Sequence, residues 1–365
     1  MECFIRASKW TKFIDENFYD VREPFVAGIE LLPQCNFKCV HCYIESDRIE
    51  NKSSMDFDEI KGMIDILVNH NCIELFLTGG EVLLLKDFIR IYKYAKEQGL
   101  LVSVLTNGSL ITEEHIKLWK EYPPELVSIT LYGATAETYQ KVTGVKNGYA
   151  LVKKAIEKLI KENIKFELKT IGIKENVDEI LDMRNYIRNL NINNSLLAWD
   201  IRPMNNGCMR TTEHRVSIEK ISEIERNDSE LNVFWHKIAM HPDLYKKTLR
   251  QEKHCLYPCA IAQQFVFITH DGLMRGCVKE VKVAYDLLHG NFDEGWAYLK
   301  KELIDKIADA SFPCSDCDKF RYCGQCTAMF NAVNDDPNQP VNFYCKLGEA
   351  RKKYIEELLN CEQKL

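Results

Sequence analysis

Six apolar runs rich in β-branched residues recur between residues 24 and 205: "FVAGIELL", "CIELFLTG", "LLVSVLTNG", "LVSITLYG", "IKFELKTIGI" and "SLLAWDIRP". Between them lie stretches of helical periodicity, "SMDFDEIKGMIDILVNH", "LKDFIRIYKYAKEQG", "TEEHIKLWKEY", "AETYQKV" with "GYALVKKAIEKLIKEN", and "VDEILDMRNYIRNL". Strand-sized runs that alternate with amphipathic helices fold as a parallel sheet, because each parallel neighbour needs a long crossover whose helix covers the sheet. Asp56 with Glu59 three residues on has the form of a capping box, Thr112 is placed to cap the third helix, and Gly99 follows the second as a C-terminal cap. A βα series of this length closes into a full or partial barrel or stays an open sheet. Either way its functional loops lie at the C-terminal ends of the strands.

The 365-residue chain is long enough for this core and a smaller appended unit. Residues 206–253 read as a connector with a weak helix or two, 254–346 as a small cysteine-dense unit held by metal rather than by its own core, and 347–365 as a closing helix. Residues 1–23 precede the first strand. The formal net charge of −6, with both signs interspersed, gives no footprint for nucleic acid or an anionic membrane. The N-terminus carries acids and aromatics where a signal peptide needs a basic start and an apolar run, and no segment approaches a membrane span, so a cytoplasmic protein is expected.

Fifteen cysteines in a reducing compartment point to metal or redox ligation rather than disulfides. They are concentrated at Cys35, Cys39 and Cys42 and between Cys255 and Cys345, which leaves Cys3, Cys72, Cys208 and Cys361 to be read as small buried residues. The segment "CNFKCVHC" directly follows the first strand run, on a loop where this architecture keeps its chemistry. A structural zinc site wants four ligands and a four-iron cluster has four irons, so three thiolates leave one ligand missing or one iron open. His41 as a fourth zinc ligand would be strained between Cys39 and Cys42. An open iron can instead hold a small molecule that brings its own ligands.

The spacing CxxxCxxC followed by Tyr43 resembles that of radical S-adenosylmethionine enzymes, and the two next strand ends extend the resemblance. Gly79, Gly80 and Glu81 in "LTGGE" look like the family's GGE motif, and Thr106 and Asn107 in "LTNGS" stand where the nucleoside would lie. The resemblance implies that Cys35, Cys39 and Cys42 ligate a 4Fe–4S cluster whose fourth iron takes the methionine moiety of the cofactor. It also implies a partial (β/α)6 TIM-type barrel, with the GGE loop meeting the cofactor's amino group. Ser128 and Thr130 alternate on the fourth strand and could face ribose or substrate; Lys169, Asp200 and Arg202 are charges inside apolar runs, to be paired in the lumen or to mark edges. Ser128 and Lys169 join the expected cofactor contacts, and Asp200 and Arg202 stand as candidates for substrate contact.

The later cysteines resemble the SPASM extension of radical enzymes that mature peptides and proteins, with a shorter last gap between Cys323 and Cys326. By that resemblance Cys255, Cys259, Cys277 and Cys326 hold one auxiliary cluster, and Cys314, Cys317, Cys323 and Cys345 another, giving three 4Fe–4S clusters in all. A zinc ribbon is the competing reading of the CxxC pairs.

The family's chemistry is one-electron cleavage of S-adenosylmethionine to methionine and a 5′-deoxyadenosyl radical, which abstracts hydrogen from substrate. It implies a flavodoxin or ferredoxin as reductant. The SPASM resemblance favours a ribosomally made precursor peptide or protein as substrate, with crosslinking, epimerisation or oxidation as the outcome. About 23 residues before the first strand are too few for a leader-binding module, so either a separate leader-binding protein is a partner or the enzyme needs none. "CNFKCVHCY" and "LYGATAETYQKVTG" also resemble enzymes that trim tetrapyrrole side chains in alternative haem synthesis. Outside the family, the contrasting reading is a non-catalytic zinc or iron–sulfur interaction protein.

Overall fold

The computed structural model describes residues 20–44, 54–190, 192, 195–241, 254–324 and 326–362; Cys3, most of the N-terminal extension and residues 242–253 of the expected connector lie outside them, as does the side chain of Cys361. Among the described residues, one nine-stranded sheet organises the fold. Its first six strands are β1 (Val26–Glu30), β2 (Glu74–Thr78), β3 (Leu101–Thr106), β4 (Leu126–Leu131), β5 (Phe166–Ile171) and β6 (Ser195–Ala198), each parallel to the one before it.

The crossovers carry α1 (Phe57–Asn69), α2 (Phe88–Glu97), α3 (Glu113–Glu121), α4 (Ala136–Thr143), α5 (Gly148–Lys161) and α6 (Ile180–Asn189). Their starts follow the local chemistry of the sequence. Asp56 accepts from the Glu59 N–H at 2.9 Å while Glu59 returns the bond to the Asp56 N–H at 2.8 Å, the reciprocal capping box expected there. At Thr112 the returning acceptor is the Nδ1 of His115, at 3.1 Å. Gly99, at φ +88°, turns the chain out of α2.

Alternation along the strands sorts the two faces of the sheet. Ala27, Ile29 and Leu31 join Leu75, Leu77, Val102 and Val104 in the core under the helices, together with the fully buried Tyr92 and Trp119. On the other face Val26 and Phe76 pack with Phe25, Leu105 and Phe265. Gly28 has no side chain there because a Cβ would fall 2.8 Å from the Phe267 ring.

Beyond β6, α7 (Ile218–Asn227) and α8 (Ser229–Met240) fill part of the segment expected to be a connector. The cysteine-dense region then departs from the expectation of a unit without a core. Its first strand, β7 (Phe265–Ile268), pairs in parallel with β1, and β8 (Leu273–Arg275) and β9 (Ala284–Asp286) continue the same sheet antiparallel. Val266, Ile268 and Met274 enter the main core, since β-branched and long apolar residues on a strand beside β1 meet the same helices. After α9 (Phe292–Leu299), the short α10 (Phe320–Cys323) and α11 (Thr327–Asn334), the long α12 (Asn342–Glu362) closes the chain. Arg351 on α12 donates from Nε to Glu225 of α7 at 2.9 Å, and the other Glu225 oxygen accepts from Trp199 Nε1 at 3.0 Å.

Asp200 and Arg202 do not lie on the sixth strand, which ends at Ala198; they belong to the exit loop beyond it. Cys72 is buried as expected, whereas Cys208 is exposed, on the loop after β6 rather than on a packed element.

Candidate active site

Cys35, Cys39 and Cys42 sit on the exit of β1, half-buried, and face one another electrostatically. Burial, and then the nearby Glu81 and Cys42, push the Cys35 thiol up to about 11, against the pull of the Phe37 N–H and Asn107. Burial together with Cys42 and Cys35 raises Cys39 as well. Two thiols that resist ionisation while bare, with the third close enough to raise both, form a donor set that calls for a strongly positive group between them. Among the described residues no three His, Cys, Asp or Glu side chains are arranged for a single metal ion. His41 is half-buried, its buried Nδ1 has no hydrogen-bond partner, and burial, helped by His214, pulls its imidazole down to about 4.

The exits of β2 and β3 are locked to this loop. The Gly80 N–H donates to the Leu32 carbonyl at 2.8 Å and the Glu81 N–H to the Gln34 carbonyl at 2.9 Å. A Cβ on Gly80 would lie 2.2 Å from the Gln34 carbonyl oxygen, so only glycine lets the two backbones meet. Glu81 is fully buried. Its Oε1 accepts from the Thr106 hydroxyl at 2.6 Å and the Leu83 N–H at 3.1 Å, and its Oε2 from the Asn107 N–H at 2.6 Å. Burial still raises the carboxyl above its usual range against these three donors. Glu81, on the loop expected to meet the cofactor's amino group, is thus a carboxylate already holding three donors out of about four acceptor positions.

Asn107 Nδ2 donates to Asn36 Oδ1 at 2.8 Å and reaches the Cys35 sulfur at 3.9 Å, while its Oδ1 accepts from the Ser109 N–H at 2.9 Å. Thr106, Asn107, Glu81 and Cys35 therefore form one connected group at three adjacent strand ends. The Tyr43 ring lies 3.6 Å from the guanidinium carbon of Arg202 and within electrostatic reach of Cys42 and Glu30.

Ser128 and Lys169 meet elsewhere on the sheet, through a residue that sequence reasoning passed over. The Ser128 hydroxyl donates to Glu167 Oε1 at 2.8 Å, and Lys169 Nζ stands 3.1 Å from the same oxygen. Burial lowers the Lys169 ammonium against the opposing effect of Glu167. Glu167 lies in the apolar run that drew attention to Lys169, so the same signal marked it. Glu30 was passed over likewise: at the end of β1 it is buried and pairs with His270 Nδ1 at 3.0 Å, just past β7.

In the C-terminal region, burial raises the Cys314 thiol to about 12, with Cys323, Cys345 and Cys317 adding to it in that order. A Cβ on Gly348 of α12 would lie 2.7 Å from the Cys323 Cβ, which sets how closely the helix bearing Cys345 approaches. Cys277 and Cys326 lie near Tyr257, whose hydroxyl donates to Glu280 at 2.9 Å and whose phenol is raised by burial, Glu280, Cys277 and Cys326. The Thr327 hydroxyl donates to the Leu256 carbonyl at 2.6 Å, joining the residue after Cys326 to the residue after Cys255. Cys259 is half-buried between these segments in sequence.

Residues 29–187 match the family model described as the radical SAM superfamily. The chain is 26% identical over 315 residues to the antilisterial bacteriocin subtilosin biosynthesis protein AlbA of Bacillus subtilis, covering 83% of this chain and 67% of AlbA. It is 33% identical over 147 residues to the Fe-coproporphyrin III synthase of Methanosarcina barkeri, covering 40% of this chain and 37% of that one. The chain thus spans about two thirds of the first relative and little more than a third of the second. Among solved structures, Streptococcus suis SuiB bound to its precursor peptide SuiA superposes with a TM-score of 0.68 at 13% identity, over 90% of this chain and 77% of SuiB, a likeness of fold. With the parallel strands and the cysteine loop after β1, residues 29–187 are similar to the radical SAM superfamily, and a cysteine-rich C-terminal region follows them.

Proposed function

We propose that this protein cleaves S-adenosylmethionine by one-electron reduction and uses the resulting radical to modify a ribosomally made peptide or a protein. The observation that carries the reading is the joining of Cys35, Glu81 and Asn107 across three consecutive strand exits. Cys35, Cys39 and Cys42 would hold a 4Fe–4S cluster with one iron left to the cofactor; when bound, that cluster supplies the electron that splits the sulfonium into methionine and a 5′-deoxyadenosyl radical. The chain's own residues would bind and orient the cofactor: Tyr43 beside the cluster loop, Gly79 and Gly80 through backbone groups, Glu81 chiefly by holding the β2 and β3 exits together, Thr106 and Asn107 near the nucleoside, and Ser128 and Lys169 from β4 and β5.

Cys255, Cys259, Cys277 and Cys326, and Cys314, Cys317, Cys323 and Cys345, would hold two further clusters. The mutual effects among the second four, and the contacts joining the neighbours of the first four, support that division. A precursor peptide is favoured because AlbA is a subtilosin biosynthesis protein. A flavodoxin or ferredoxin would supply electrons, and a separate leader-binding protein would present the peptide. A cytoplasmic setting suits the clusters; no helix among the described residues is long and apolar enough to cross a membrane.

A second reading, side-chain chemistry on a tetrapyrrole, rests on the identity with the Fe-coproporphyrin III synthase within the barrel segment. The deciding experiment is anaerobic. The protein is reconstituted with iron and sulfide, reduced with S-adenosylmethionine present, and assayed for 5′-deoxyadenosine beside Cys35→Ala, with a porphyrin and with precursor peptides. Product from the wild type alone supports the reading, and the compound that raises it selects the substrate class. A colourless, zinc-loaded protein that turns over nothing would return the reading to an interaction protein.

A further inference from the structure

The exit loop of β6 grips both halves of the molecule. Asp200 accepts from Lys279 Nζ and from the Tyr344 hydroxyl. Lys279 follows Cys277 by two residues, and Tyr344 immediately precedes Cys345. The Ile201 carbonyl accepts from Arg215 Nε at 3.0 Å and Nη2 at 2.8 Å, and the Arg215 guanidinium carbon stands 5.0 Å from the centroid of the Phe343 ring. Arg202 donates from Nη1 to the Val278 carbonyl at 2.7 Å and from Nη2 to Asn205 Oδ1 at 3.0 Å, and its planar face covers the Tyr43 ring at 3.6 Å. The Asn205 N–H closes the loop by donating to the Tyr43 carbonyl at 2.9 Å.

Three consecutive residues thus hold segments beside Cys277 and Cys345, while the same loop holds the residue that follows Cys42. Arg202 is 5% exposed, so its side chain has little freedom to take up a relative shift of the two sides. Its guanidinium joins them through two kinds of contact that a lysine ammonium cannot make together: a forked pair of hydrogen bonds in its plane and stacking on its face.

We propose that residues 200–205 are a coupling element through which the cysteine-rich region sets the position of Tyr43, with Arg202 as the positioning residue that joins the two. The inference rests on the reading that Tyr43 borders the S-adenosylmethionine site. Its consequence is that the barrel holds the cofactor tightly only when the segments around Cys277 and Cys345 are in place. Asp200, which touches neither Tyr43 nor the CxxxCxxC loop in any contact described, should then affect cofactor binding from a distance.

The test uses the full-length protein, reconstituted anaerobically, with equilibrium dialysis against S-adenosylmethionine and amide hydrogen exchange over residues 36–43. Arg202→Lys and Asp200→Asn are each expected to weaken binding by about tenfold at unchanged iron content, within the usual range of coupling between sites. The double variant is expected to be no weaker than the worse single one, because both act through one element. Exchange over 36–43 should quicken in both. Binding within about twofold of wild type in both fully iron-loaded variants, or losses that multiply, would overturn the proposal. If Arg202→Lys loses iron or fails to fold, Asp200→Asn decides alone. If the wild type itself does not bind S-adenosylmethionine, the reading of the site fails, and the exchange comparison still decides the coupling.

Discussion

The backbone N–H of Asn107 donates to Glu81 Oε2 at 2.6 Å, so the exits of β2 and β3 share one buried carboxylate. Glu81→Gln replaces one acceptor oxygen by an NH2 group that must face either Asn107 N–H or the Thr106 and Leu83 donors. Losing a charge-assisted bond there is expected to cost about 1.5–3 kcal/mol. Urea unfolding would measure it, and S-adenosylmethionine affinity should fall in parallel; an unchanged midpoint and affinity would refute the role given to Glu81.

Gly80 and Gly62 make opposite predictions for the same substitution. Gly80→Ala drives a Cβ to 2.2 Å from the Gln34 carbonyl oxygen, a backbone atom that cannot swing aside. It is expected to destabilise by about 1–3 kcal/mol and to reduce iron uptake on reconstitution. Gly62, inside α1, has nothing within 4 Å of a built Cβ, and Gly62→Ala is expected to stabilise by about 0.5–1 kcal/mol. Thermal unfolding of the pair checks both signs.

Lys169→Met leaves Glu167, whose side chain is 2% exposed, held only by Ser128 among the contacts described. Breaking a buried pair from one side is expected to cost about 3–5 kcal/mol, whereas Lys169→Met with Glu167→Gln should recover at least half of that. Chemical denaturation of the two variants distinguishes a paired charge from an isolated one.

Asp228 carries the clearest pH prediction. Burial raises its carboxyl, but Arg184, the Leu231 N–H and Arg188 more than reverse this, so its folded value lies below the ordinary 3.8. An acid with a depressed folded value contributes stability that is present above its unfolded value and is lost as pH falls through the folded one. Asp228→Asn is therefore expected to cost about 3–5 kcal/mol near neutrality, with the gap to wild type narrowing only below 3.8. A gap that stays constant down to acid unfolding would count against this account.

Much of the barrel was legible because period-2 and helical periods alternate cleanly, and because Asp56, Glu59 and Gly99 carry their own local geometry. The place of the cysteine loop at the exit of β1 was legible for a similar reason: the order of a strand run and a three-cysteine spacing within eight residues is a local property. What escaped depends on contacts across long separations. Glu30 meets His270 across the β1–β7 pairing, and Glu167 became meaningful only once Ser128 and Lys169 met on one oxygen. Nothing local in "LTGGE" told that Gly80 is required by the backbone of the cysteine loop, which lies where its Cβ would be. Asp200 and Arg202 were marked as charges to be paired, but nothing local told that their partners flank distant cysteines.

The pairing of β7 with β1 also bears on the order in which the chain can mature during synthesis. Glu30 and His270, at the ends of those strands, are 240 residues apart. A nascent chain that has already emerged through β6 still has an unpaired β1 edge, directly beside the cysteine loop, until β7 is made. Long-range pairing of this kind is slow and leaves strand edges open to wrong partners in the interval. On the proposed ligation by Cys35, the expected result is a narrow window for iron delivery: cluster insertion before residue 265 is synthesised would act on an unfinished barrel, so efficient maturation favours delivery after the chain leaves the ribosome.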